Sequence, residues 1–223
     1  MQAEGLGADC SSLPELMLSE RVGLSGEDIM FSSNDTPAVE YAKAKALGAI
    51  INLDAESHLE FLKENVGLPE FICLRYNPGK AVSENDFMGD PLESKFGMTF
   101  EQISRTFEQA REWGVRRFML HAMIGSNVLD PNHFANIAGL LFELAAELKA
   151  QSNINLELIN FGGGFGIPYR LSEKRLDLAE VSDLIRKKYH RIILSAGWKI
   201  PRLVLECGRL ITGPHGYLVS QVR

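Results

Sequence analysis

Three short stretches hold the residue types that could do chemistry. The first is Ile159-Asn160-Phe161-Gly162-Gly163-Gly164-Phe165-Gly166-Ile167-Pro168-Tyr169. An apolar run, Ile154 to Phe161, leads into it. Glycine alone lets a backbone take unusual φ/ψ and come within hydrogen-bond reach of a bulky ligand. A strand ending in such a loop turns its N–H groups outward, which suits an anion, most often phosphate. A plain tight turn is the other reading. Four glycines in five positions directly after an apolar strand favour the ligand.

The second stretch is Leu205-Glu206-Cys207-Gly208-Arg209, at the end of the last clear apolar run. A carboxylate there can hold a protonated ring nitrogen, and an arginine three residues on can fork onto phosphate or carboxylate. A local Glu–Arg ion pair is the alternative. The third is Leu120-His121-Ala122-Met123-Ile124-Gly125-Ser126-Asn127. Ser126 offers a hydroxyl to a phosphate or a cap to a helix. Met123 offers a soft flank to a ring or a side chain to the core. His121 near a strand end reads more readily as a structural histidine than as a catalyst.

The pattern excludes several other chemistries. There is no H-x-x-x-H or CxxC, so no metal site is expected. No G-x-S-x-G elbow supports a serine hydrolase. The glycines are not spaced G-x-G-x-x-G ahead of a helix, as a dinucleotide fold requires. A phosphate-bearing cofactor with a protonatable ring remains, and pyridoxal phosphate fits a glycine nest, a carboxylate and an arginine.

The elements that position these stretches alternate. Strand-like runs fall at roughly 5–9, 28–32, 49–53, 70–76, 115–121, 154–161 and 202–206, with helical patterns between most of them. Helices are expected from Ser11 or Ser12 to Arg21, from Asn34-Asp35-Thr36-Pro37 to Gly48, and from Asp54 to Asn65. Others open on a Thr99–Gln102 capping box, on Asp130-Pro131, and at Leu178, the last running to Ser195. Gly216 to Val222 is a weaker strand candidate. Residues 77–98 form a long loop, of a kind that is usually functional or disordered. Strand–helix alternation means a parallel sheet covered by helices. Seven strands are one short of a (β/α)₈ barrel, and a doubly wound open sheet competes with it. Polar residues at the strand ends (Asp54, Asn77, His121 to Asn127, Glu206 to Arg209) favour the barrel, where strand ends share one site.

Composition narrows the class. The chain has 223 residues, 45% hydrophobic and 23% charged, with a net charge of −6. No Lys/Arg cluster stands out, so nucleic acid is not an expected partner. No apolar run reaches a membrane span, and no signal pattern opens the chain. Three cysteines, Cys10, Cys73 and Cys207, read as reduced thiols in a cytoplasmic protein.

Several runs together carry a resemblance. GADCSSLPEL at 7–16, ESKFGMT at 93–99, HAMIGSN at 121–127, NFGGGFGIPY at 160–169 and ECGRLITGPHGYL at 206–218 resemble diaminopimelate decarboxylase, within the fold-type III pyridoxal-phosphate enzymes. The resemblance implies an α/β chain forming an alanine racemase-like (β/α)₈ TIM barrel. It implies pyridoxal 5'-phosphate as cofactor, an amino-acid substrate, and decarboxylation of meso-diaminopimelate to lysine and CO₂. Ornithine or carboxynorspermidine is an alternative substrate, and a non-catalytic phosphate-binding barrel an alternative role.

The resemblance also implies roles for residues. Gly162, Gly163 and Gly164 match the phosphate loop, and Ser126 the phosphate-binding serine. Glu206 matches the carboxylate at the pyridine nitrogen. Cys207, Gly208 and Arg209 complete a run that the family writes E-P-G-R, with Arg209 facing phosphate or the substrate's carboxylate. Met123 stands where many members place a histidine stacked on the ring, while His121 is retained. The family's cofactor-linking lysine lies in a Y-A-x-K-A motif on the first barrel strand, and that motif does not occur in this sequence. Lys43, Lys45, Lys63 and Lys80 lack its context, and Lys95 matches the separate KFG run. The expectation is one pyridoxal-phosphate-binding barrel domain, residues 1–223. It would be a fragment with barrel strands two to eight but neither the first strand nor the C-terminal β domain. Such a chain is expected to be inactive by itself, with no catalytic residue of its own, and the parent enzyme to be a homodimer.

Overall fold

A computed structural model describes residues 2–79, 96–198 and 202–221. Seven parallel strands lie in strict chain order, β1 (Ala8–Cys10), β2 (Ile29–Ser32), β3 (Ile50–Leu53), β4 (Phe71–Arg75), β5 (Arg117–His121), β6 (Leu156–Asn160) and β7 (Arg202–Val204). Each pairs with the next in parallel register, from Asp9 opposite Met30 to Ile159 opposite Leu203. Helices α1 (Leu13–Arg21), α2 (Ala38–Ala46), α3 (Glu56–Asn65), α4 (Phe100–Glu112), α5 (Pro131–Ser152) and α6 (Leu178–Tyr189) follow the first six strands in turn. A short α7 (Gly208–Thr212) follows β7. This is the sheet of an alanine racemase-like (β/α)₈ barrel, short of closure. Among the described residues β1 and β7 end the sheet without pairing to each other.

Alternation along each strand builds two layers. Outward residues such as Ile51, Leu53, Ile72, Leu74, Leu120 and Ile159 join the helices in one large apolar cluster. Helix α5 contributes Phe134, Ile137, Leu141, Leu144 and Leu148, all buried. Each such side chain contributes about 1.5–3 kcal/mol relative to exposure. Inward residues Met30, Ile50, Phe71, Cys73, Met119 and Leu158 form a second, smaller apolar layer that fills the lumen. Beneath it Arg117 pairs with Glu27 at 2.7 Å and Glu157 at 2.8 Å, and Arg202 also reaches Glu27. That ionic cluster lies at the N-terminal ends of the strands. The C-terminal ends carry the polar residues discussed below.

Local chemistry sets the boundaries. Thr99 and Gln102 make the expected reciprocal capping box ahead of α4. Asp130 caps α5 through Asn132 N–H at 3.0 Å, and Asn153 ends that helix at φ 50. The capping expected of Ser12 takes another form. Glu15 Oε2 accepts from the Ser11 N–H at 2.7 Å and the Ser12 hydroxyl at 2.8 Å. The helix expected from Asn34 begins only at Ala38, because Pro37 sits extended at its N-cap. The helix expected to reach Ser195 is α-helical to Tyr189 and then widens to a π-helix over His190–Leu194.

One strand expectation is corrected. Residues 216–221 form no strand, and Val222 lies outside the described residues. A short apolar run makes a strand only beside another strand, and Tyr217, Leu218 and Val219 stand exposed, paired with no strand among the described residues. Of the long loop over 77–98, Lys80, Gly89-Asp90-Pro91 and Lys95 lie outside the described residues. Among the described residues no helix is long and apolar enough to cross a membrane.

Candidate functional site

Strand pairing continues past β6 and β7 and locks the glycine loop. Phe161 N–H donates to Val204 O at 3.0 Å, and Glu206 N–H to Gly162 O at 2.9 Å. On the other side Val128 N–H donates to Gly164 O at 2.8 Å, Gly166 N–H to Val128 O at 3.0 Å, and Ile167 N–H to Asn127 Oδ1 at 3.0 Å. The loop is therefore clamped between the β5–α5 connection and the end of β7. Gly162 and Gly164 have φ of 69 and 87, conformations that side chains resist. A Cβ on Gly162 would collide with Ala122 O, on Gly163 it would meet Glu206 O at 2.5 Å, and on Gly164 Gly125 O at 2.7 Å. Close approach of three backbones requires these glycines, whatever ligand the loop serves.

Glu206 follows on the lumen side. Asn160 Nδ2 donates to Glu206 Oε1 at 2.7 Å, and Asn160 Oδ1 accepts from Gly162 N–H at 2.8 Å. One buried amide thus ties the carboxyl to the glycine loop. His121 Nε2 lies 3.3 Å from the same Oε1. Burial pushes the Glu206 carboxyl above its ordinary value, against the Asn160 hydrogen bond and the Arg75 charge. Burial, with Arg75 beside it, lowers the His121 imidazole to about 3. The histidine is neutral, and burial makes the bare Glu206 carboxylate costly unless a cationic partner faces it. Asp9 faces the same lumen from β1, and its carboxyl is raised by the crowded interior and by Glu206. It nonetheless keeps contact with solvent along the open edge.

The remaining predicted residues fall around this centre. Ser126 and Arg209 come together, with Arg209 Nη2 donating to Ser126 Oγ at 3.4 Å. The Arg209 guanidinium also lies 6.0 Å from the Tyr169 ring. Met123 Sδ accepts from Gly163 N–H at 3.1 Å, on the glycine loop itself. Gly208 opens α7 in the open, with nothing within 4 Å of a Cβ placed on it. Cys207 precedes it, its thiol packed against the outer apolar cluster and raised above its ordinary value by burial and then by Glu206.

The sequence reading missed Asn160 as a bridge, and it missed Arg75. The Arg75 guanidinium is paired to Asp54 at 3.1 Å, with side-chain exposures of 14% and 3%. Gly97 N–H holds the other Asp54 oxygen at 3.2 Å, and the Phe96 ring lies 4.6 Å from the guanidinium. A signal was available. Arg75, His121 and Asn160 are polar residues at the ends of apolar strands, opposite one another in register. Lys43, Lys45 and Lys63 sit on α2 and α3, engaged with Glu20, the carbonyls of Val66 and Gly67, and the Trp113 ring.

These features fit pyridoxal phosphate: a fixed glycine cradle, a hydroxyl–guanidinium pair nearby, and a half-buried carboxyl, Glu206, that could face a protonated ring nitrogen. In parallel barrels the strand C-termini are where active sites are built, and the polar groups gather at that end here. A family model, "Pyridoxal-dependent decarboxylase, pyridoxal binding domain", matches residues 1–213, and the chain belongs to this family.

Protein TabA of Pseudomonas amygdali pv. tabaci is 37% identical over 98% of this chain and 51% of its own length. The diaminopimelate decarboxylase of Thermoplasma acidophilum is 32% identical over 100% of this chain and 53% of its own. Among solved structures, the diaminopimelate decarboxylase of M. jannaschii in complex with L-lysine superposes with a TM-score of 0.81 at 25% identity, over 93% of this chain and 49% of that one. The chain spans about half the length of the curated relatives it matches.

Proposed function

We propose that the chain is the cofactor-holding part of a decarboxylase that converts meso-diaminopimelate to lysine and CO₂. The observation that carries this reading is the Asn160 bridge, which fixes the Glu206 carboxyl beside a rigid glycine cradle. The relatives named diaminopimelate decarboxylase, including solved structures that hold L-lysine, support the substrate.

Gly162 to Gly164, Ser126 and Arg209 would hold the phosphate, Met123 would flank the ring, and Glu206 would face its nitrogen. Bound there, pyridoxal phosphate supplies an electron-poor ring that takes up the electron pair left by CO₂. Glu206 Oε would accept the hydrogen bond of a protonated ring nitrogen and so hold that nitrogen positive. Asn160 fixes the direction of the carboxyl, and neutral His121 leaves the charge of Glu206 unopposed for a cationic partner. Arg209, exposed at the rim, is placed for the phosphate or the substrate's carboxylate.

A different substrate is supported by a relative named L-glutamyl-[BtrI acyl-carrier protein] decarboxylase, 25% identical over 98% of this chain. Residues 1–223 act as a single cofactor-binding domain, and the whole enzyme as a cytoplasmic homodimer. Equilibrium dialysis of the chain against pyridoxal phosphate tests the cofactor. Binding is expected, weakened at least about tenfold by Arg209→Met, as loss of a charged hydrogen-bond donor to phosphate implies. No binding would refute the assignment. CO₂ release from meso-diaminopimelate is expected to be absent with the chain alone, and robust release would overturn its inactivity.

A further inference from the structure

We propose that Met123 is an internal ligand of the glycine loop, a thioether that occupies the Gly163 N–H and must leave before a phosphate oxygen can take that donor. The inference rests on the reading of the loop as a phosphate site.

Three observations combine. Gly163 N–H donates to Met123 Sδ at 3.1 Å. The sulfur also lies against Gly162, where an added Cβ would meet Sδ at 3.1 Å and Met123 Cα at 3.0 Å. The loop itself cannot turn away, because Gly162 O is held by the Glu206 N–H at 2.9 Å and Gly164 O by the Val128 N–H at 2.8 Å. The direction of the Gly163 N–H is therefore fixed by backbone, while the group on it belongs to a flexible side chain. Met123 is only half-buried, so it has somewhere to go.

The exchange has a definite sign. A thioether is a weak acceptor, and a phosphate oxygen is a charged, strong one. Phosphate wins the donor, but it gains only the difference between the two bonds. The methionine thus lowers phosphate affinity from within. It then has a second place to rest, beside the ring of a ligand that carries one, where thioether–aromatic contact is favourable. A bare phosphate incurs the cost of displacement and gains nothing from the ring contact. A phosphate with a ring attached recovers part of it. Met123 therefore selects ring-bearing phosphates over inorganic phosphate, and it is a specificity residue of the site.

The test titrates the full 223-residue chain with inorganic phosphate and follows the Gly163 amide by ¹⁵N-resolved NMR. Met123→Leu keeps the apolar bulk and removes the acceptor. It is expected to bind inorganic phosphate about 3- to 10-fold more tightly than the unsubstituted chain, the factor for one modest hydrogen bond. Met123→Ala is expected to shift the same way. Equal or weaker phosphate binding by Met123→Leu overturns the proposal while leaving the phosphate site standing. Tightening by Met123→Ala alone also overturns it, since bulk and not the sulfur would then be the obstacle. If the unsubstituted chain and both variants fail to bind inorganic phosphate and pyridoxal phosphate alike, the phosphate reading falls and the proposal with it.

Discussion

At the scale of single residues the site depends on groups whose charge the fold has altered. His121 illustrates the sign. Its folded-state value of about 3 lies far below the ordinary imidazole value near 6.5. Below about pH 6.5 the unfolded chain takes a proton that the folded chain refuses. The stability tied to a neutral His121 is therefore fully present above that pH and is lost as pH falls toward 3. Glu206 runs the other way. Its raised carboxyl contributes stability that is present at low pH and lost as pH rises through its folded value. Asp9, raised to about 8, acts in the same sense as Glu206, so the imidazole shows as a difference: on acidification from pH 6.5 to 4 we expect the unfolding temperature of the unsubstituted chain to drop relative to that of His121→Gln. Parallel curves for the two proteins would exclude the imidazole as the cause.

Residue types also marked the limit of what the sequence revealed. Gly162 to Gly164, Ser126, Glu206 and Arg209 were legible because each stood in a run with a chemical reason. Asn160 and Arg75 were not, because an amide inside LELIN and a guanidinium inside FICLR look like ordinary strand residues. Their meaning comes from register, which aligns Arg75, His121 and Asn160 across three strands. Register is set by pairing, and a linear reading does not contain it.

At the scale of elements, the strands were placed within a few residues because each alternates between two apolar layers. The misses have local causes. Residues 216–221 carry a short apolar run but pair with no strand among the described residues, and α6 passes into a π-turn that propensity does not encode. The glycine loop is an element in the same sense, and its glycines are not interchangeable. Gly163→Ala would drive a methyl into Glu206 O at 2.5 Å. We expect a loss of roughly 1–3 kcal/mol, the usual cost of overpacking. Gly208→Ala, with open space around it, is expected to be neutral or slightly stabilising, since it fixes the first turn of α7. Urea denaturation of both variants checks the contrast, and equal costs would contradict it.

At the scale of the whole molecule, β1 and β7 present unpaired edges among the described residues. Beside the β7 edge, Leu203 and Leu205 on its outward face are 41% and 45% exposed. Open edges next to exposed apolar residues invite pairing with another chain. Sedimentation velocity over a hundredfold range of concentration is expected to show reversible growth beyond a monomer. A sharp monomer boundary throughout would mean that the edges are protected.

The strict β1-to-β7 order has a kinetic meaning as well. Every sheet contact joins a strand to its immediate successor in the chain, so no pairing waits for a distant segment to arrive. Each connection to be closed carries one helix, with long stretches of chain added before α4 and α6, and the entropy cost of closure grows only slowly with length. Such a sheet can extend one βα unit at a time behind an emerging chain, each unit templating the next, in the manner of a solenoid rather than a sandwich.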